Sequence, residues 1–129
     1  MTKRERIKNK FGGKCAYTGK PLGDDWQVDH HVSVFHHRVG LAKGDKDNID
    51  NLLPALKIVN HYKRADSLKA FRDKMITFNK RLAKVPKNPR SSKGIKYKSY
   101  MCKIADAFGI TPDKPFDGLF YFEKINEKK

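Results

Sequence analysis

The chain has 129 residues, with 29 Lys and Arg against 14 Asp and Glu, giving a formal net charge of +15. That length suits one domain that can bury a core without cross-links, and the charge excess goes beyond what solubility needs and points to a polyanionic partner. Two cysteines, Cys15 and Cys102, exclude a disulfide framework, no stretch approaches the roughly 18 apolar residues of a membrane helix, and no secretory segment is visible, so a cytoplasmic, reducing location is expected.

In chain order, Thr2-Lys3-Arg4-Glu5 fits a capping box that opens a short helix, with Ile7 and Phe11 on one face and Gly12-Gly13 as its stop. Lys14 to Leu22 reads as a knuckle, a short strand that turns tightly and returns. Trp26-Gln27-Val28 alternates apolar and polar and predicts a strand leading into Asp29. Val32, Val34 and Phe35 suit a second strand, and Arg38 to Asn48 a surface loop. Pro54 fits the first turn of a helix over about Ala55–Ala65. Its inner face is Ala55, Val59 and Tyr62, and Lys57, Asn60, Lys63 and Arg64 form a basic stripe centred on Asn60.

Asp66 or Ser67 caps a further helix to about Lys84, whose stripe Leu68, Phe71, Met75, Phe78 and Leu82 reads as core. Val85 to Gly94 is a basic loop carrying Lys87 and Arg90. Tyr97 to Phe108 marks another helix, stopped by Gly109, and Leu119 to Ile125 reads as a terminal strand. No leucine seam is sustained over several heptads, so a monomer rather than a dimer is expected.

Chemistry concentrates between Trp26 and Lys63, a window that holds all five histidines, at 30, 31, 36, 37 and 61. Asp29-His30 sets an oxygen donor beside an imidazole able to act as a base near neutral pH. Downstream lie Asp50-Asn51-Leu52 and Val59-Asn60-His61-Tyr62-Lys63. Together with Gly12-Gly13-Lys14-Cys15, these elements resemble the HNH endonucleases in order and spacing over residues 4 to 68. The interval from Asn51 to Asn60 is also similar to that in the HNH domains of RNA-guided effectors. The segment from 85 to 129 carries no such resemblance.

The resemblance implies an α+β fold with a ββα-metal, treble-clef-like core at about 11–66, in a nuclease region spanning 1–84, with 85–129 as a loop, helix and strand extension. It implies a metal-dependent DNA endonuclease that nicks one strand per site. His30 is then the general base, and Asn51 the residue that pins the adjoining loop and helps orient His30. Asp29 and Asn60 become ligands of Mg²⁺ or Mn²⁺, with His61 as the alternative to Asn60. Lys57, Lys63, Arg64, Lys87 and Arg90 are the expected contacts to double-stranded DNA. The zinc knuckle of many members is reduced here to Cys15, with Thr18, Leu56 and Val59 at the other three ligand positions. No structural zinc is therefore expected, and packing near Tyr17 and Leu22 takes its place. Two rival readings are a nucleic-acid-binding module whose nuclease residues are silent, and the cleavage subunit of a larger phage or guided complex.

Overall fold

The computed structural model describes residues 1–30 and 49–127. The second strand expected near Val32 to Phe35, the loop at Arg38 to Asn48, and His31, His36 and His37 lie outside these. Helix α1 (Lys3–Asn9) starts as its sequence indicates, with the Thr2 hydroxyl accepting from the Glu5 amide at 3.1 Å. Gly12 and Gly13 then take positive φ and end it. The knuckle closes through Lys14 bridging Pro21, with the Cys15 amide donating to the Lys20 carbonyl at 2.8 Å.

Strand β1 (Gln27–His30) pairs antiparallel with β2 (Leu52–Ala55), in a register that sets Asp29 opposite Leu53 and His30 opposite Leu52. A 3-10 turn, Ile49–Asn51, leads into β2. Pro54 thus lies in a strand and not in the first turn of a helix. Its ring bars it from donating to a ladder, which an edge position tolerates, and its carbonyl accepts from the Ala16 amide of the knuckle at 2.8 Å. Helix α2 is correspondingly shorter than its sequence suggests, Lys57–Lys63, and ends at Arg64, whose φ is +56°.

The long helix expected from Ser67 is two: α3 (Leu68–Ile76), capped by Ser67, and α4 (Phe78–Leu82). Thr77 separates them, its hydroxyl donating to the carbonyls of Asp73 and Lys74 at 3.2 Å. Helix α5 (Ser92–Phe108) stops at Gly109 in the left-handed region.

The expected terminal strand is instead helix α6 (Tyr121–Glu127). Its first amides find acceptors across the fold: Tyr121 donates to the Tyr17 carbonyl at 3.1 Å and Phe122 to that of Ala16 at 2.8 Å. Glu123 accepts from the Phe120 amide at 2.9 Å and takes a bidentate ion pair from Arg72 of α3 at 2.6 and 2.7 Å. Gly19 is required where α6 meets the knuckle, since its φ is +76° and a Cβ there would lie 2.6 Å from the Tyr121 ring.

The fold is therefore α+β, with the strand pair between two apolar layers. Ile7, Trp26 and Leu52 form a small cluster under α1. On the other side Tyr17, Leu53, Ala55, Val59, Phe71, Met75, Phe78, Met101, Ile104 and Phe120 share one core, with Leu22 and Leu56 against it. Tyr17 stands edge-on to Phe71 and Phe120, with centroids 5.4 and 5.2 Å away. The C-terminal aromatics thus complete the core around the knuckle. Phe120→Ala should cost about 3–5 kcal/mol in urea unfolding, as full burial of a large ring requires. A loss under about 1 kcal/mol would show that α6 does not belong to that core.

Candidate functional site

Successive side chains of a strand point to opposite faces. Gln27 and Asp29 face α2, whereas Val28 and His30 face α1. On the α2 side, Lys63 Nζ lies 3.2 Å from Asp29 Oδ2 and 3.4 Å from Oδ1. Only 1% of the Lys63 side chain and 8% of that of Asp29 are exposed. The Tyr17 hydroxyl donates a short hydrogen bond to Asp29 Oδ2. One turn before Lys63, Asn60 Nδ2 donates to Gln27 Oε1 at 2.8 Å. The residues Asp29, Asn60, Lys63 and Tyr17 are thus gathered on one side of β1.

This placement corrects the basic stripe. Lys63 is buried against a carboxylate and presents no charge to a phosphate. The helical period explains it, because a residue six positions after Lys57 lies about 120° round the axis. Lys57, His61 and Arg64 keep the exposed face, while Asn60 and Lys63 turn to the strand. A buried charge without its counter-ion is costly, and removing one partner of such a pair typically costs about 3–5 kcal/mol. Burial, reinforced by the Asp29 carboxylate, pushes the Tyr17 hydroxyl well above its usual 10.0, so Tyr17 stays protonated and a donor at neutral pH.

On the α1 side, His30 lines a recess of about 330 Å³ with Lys3, Arg4, Ile7, Val28 and Leu52. The Arg4 guanidinium sits 3.9 Å over the Trp26 ring and donates to the Trp26 carbonyl at 2.7 Å. Lys10 Nζ donates to the carbonyls of Ile49 and Leu52 at 2.9 and 2.8 Å, fastening α1 to the turn that carries Asn51. Asn51 directly precedes the register partner of His30, so both stand at one end of the strand pair. His61 faces away from Asp29. Its Nδ1 is 2.9 Å from the Tyr100 hydroxyl of α5, with the rings edge-to-face at 5.6 Å.

Searched against models of protein families, curated proteins and solved structures, the chain matches none. Among the described residues, no group of three or more His, Cys, Asp and Glu is gathered so as to hold a metal ion. Of the expected cationic contacts, Lys57, Arg64, Lys87 and Arg90 are exposed. Sequence reading missed Lys20, Tyr100 and Lys103, which the fold brings beside Lys57 and His61. The tyrosines and lysines that share the α5 sequence were the available signal.

A hydroxyl whose folded pKa is raised stabilises the fold below its unfolded value near 10, and loses that contribution as pH climbs toward the folded value. Unfolding free energy should therefore fall above about pH 10, and less steeply in Tyr17→Phe. At pH 7 the same substitution should cost about 1–3 kcal/mol, the penalty for depriving buried Asp29 of a donor. Equal alkaline slopes in the two proteins would remove the hydroxyl from this role.

Proposed function

We propose that this chain is a metal-dependent endonuclease of HNH type that acts on DNA and nicks one strand per site. One observation carries the reading. The strand bearing Asp29 and His30 pairs with the segment that Asn51 opens, and the helix that follows at once hydrogen-bonds Asn60 to that same strand. This β-β-α succession, with Asp29 and His30 at the end of a strand and Asn60 on a helix, supports a ββα-metal core. The charge of +15 and the exposed Lys57, Arg64, Lys87 and Arg90 support a nucleic-acid substrate.

His30 takes a proton from the water whose oxygen bonds to phosphorus. The P–O bond to the departing sugar oxygen breaks, and that oxygen takes a proton from solvent. Lys3 and Arg4, which line the recess of His30, draw the phosphate beside it. Asn51 keeps the turn at the strand end in place. The Asp29 carboxylate and the Asn60 amide oxygen are hard donors on one side of β1, and their chemistry fits Mg²⁺ or Mn²⁺. Asp29 and Asn60 would be the residues that hold such an ion, and Lys63 is the group that holds the carboxylate in the arrangement described. When bound, the divalent cation supplies charge stabilisation at the phosphoryl oxygens.

The burial of Asp29 against Lys63, and the opposite facing of Asp29 and His30, favour a second reading. In it the chain is an accessory nucleic-acid-binding module and Asp29 serves the fold. Incubation with supercoiled plasmid separates the two. With Mg²⁺ or Mn²⁺ the enzyme should produce nicked circles, and His30→Ala should slow this by about 10²–10⁴-fold without changing DNA affinity. Salt-sensitive binding with no cleavage under either metal would select the binding module, and His30→Ala cutting within a few-fold of wild type would remove His30 as the base.

A further inference from the structure

A second site lies beside the one above. Between α2, α5 and the knuckle runs a groove of about 690 Å³, within the range of ligand-binding clefts. Its walls are mixed in a particular way. Leu56, Ile58 and Ala107 supply aliphatic surface, and Tyr100 and His61 supply two rings already locked to each other by a 2.9 Å hydrogen bond. Lys20, Lys57 and Lys103, one from each bordering element, bring ammonium groups to it, and all three are exposed. Asp25 and Asp106 add carboxylate acceptors.

We propose that this groove holds one unstacked nucleotide of a nucleic-acid strand, with its base against Tyr100 and the aliphatic wall and its phosphates on Lys20, Lys57 and Lys103. The inference rests on the nucleic-acid reading above and narrows its substrate. Three lysines make the groove complementary to a phosphate chain, but cations alone leave the ring and the apolar wall without a use. In a regular duplex the base faces are covered by their neighbours, so an aromatic and aliphatic surface can cover one only after that base leaves the stack. The carboxylates suit the exocyclic amino groups such a base exposes. Gln27, which holds Asn60, also lines the groove. A nucleotide seated there therefore brings its strand to the edge of the candidate site. The preferred substrate is DNA with an unpaired or displaced nucleotide.

The test compares two labelled duplexes of equal length by fluorescence anisotropy, in EDTA and at one salt concentration: one perfect, the other with a single-nucleotide bulge. Wild type should bind the bulged duplex about ten-fold more tightly, as stacking of one base on an aromatic side chain predicts. Tyr100→Ala should bring the ratio to within two-fold, and the paired change Lys87→Ala/Arg90→Ala should weaken both duplexes alike. Lys103→Glu, at an exposed position, tests the same groove should Tyr100→Ala fail to fold, and it should reduce the ratio too. Equal affinity of wild type for the two duplexes would overturn the groove assignment and leave nucleic-acid binding standing. So would a ratio unmoved by the groove variants. Absence of binding to either duplex would overturn both.

Discussion

Lys63 ends α2 with its ammonium on the Asp29 carboxylate of β1, and Tyr17 of the knuckle closes the third side. Three segments distant in sequence meet at this one carboxylate. The strand pair is short, and two strands alone are marginal in water. The helix that packs on it has only seven residues, too few to be stable by itself. Each therefore needs tertiary contacts, and this cluster of side chains supplies one set of them. A buried pair of charges adds little net stability compared with apolar groups of the same shape, but it tolerates only one arrangement, because any other leaves an ion in the core unpaired. That intolerance fixes which face of α2 meets β1.

The consequence for the site is direct. The face of β1 that carries Asp29 is the structural face, turned into the larger core, and the face that carries His30 borders the basic helix α1. Asn60 belongs to the structural side, where it holds Gln27. If the chain cleaves DNA, the carboxylate that steadies the fold is also the one asked to take a cation. If the chain only binds, the same residues are a polar clamp and the exposed cations of α2 and α5 carry the function. The groove beside Tyr100 is compatible with either course, since it depends on the outer face of α2.

Much of this was legible in the residues. The Thr2 cap, the apolar stripe from Leu68 to Leu82, the strand that ends at Asp29-His30 and the stop at Gly109 depend on local chemistry, which a sequence displays. What escaped depends on contacts far along the chain. Pro54 looks like a helix start until the Ala16 amide is found donating to its carbonyl. Leu119 to Ile125 looks like a strand until the knuckle carbonyls and Arg72 are seen to satisfy a helix start there. Lys63 looks like a surface cation because only tertiary packing supplies its carboxylate. Thr77 breaks a stripe whose periodicity runs on unchanged, since a hydroxyl turned back on the preceding carbonyls leaves no mark in the pattern.

The Asp29–Lys63 pair, and not its apolar surroundings alone, joins β1 to α2. A double-mutant cycle with Asp29→Asn and Lys63→Met, followed by urea unfolding in EDTA, measures it directly. The structure predicts that each single change is strongly destabilising, that the double variant recovers part of the loss, and that the coupling between the sites is about 2 kcal/mol or more, toward the upper end for residues in contact. Additive effects, with a coupling below about 0.5 kcal/mol, would contradict it.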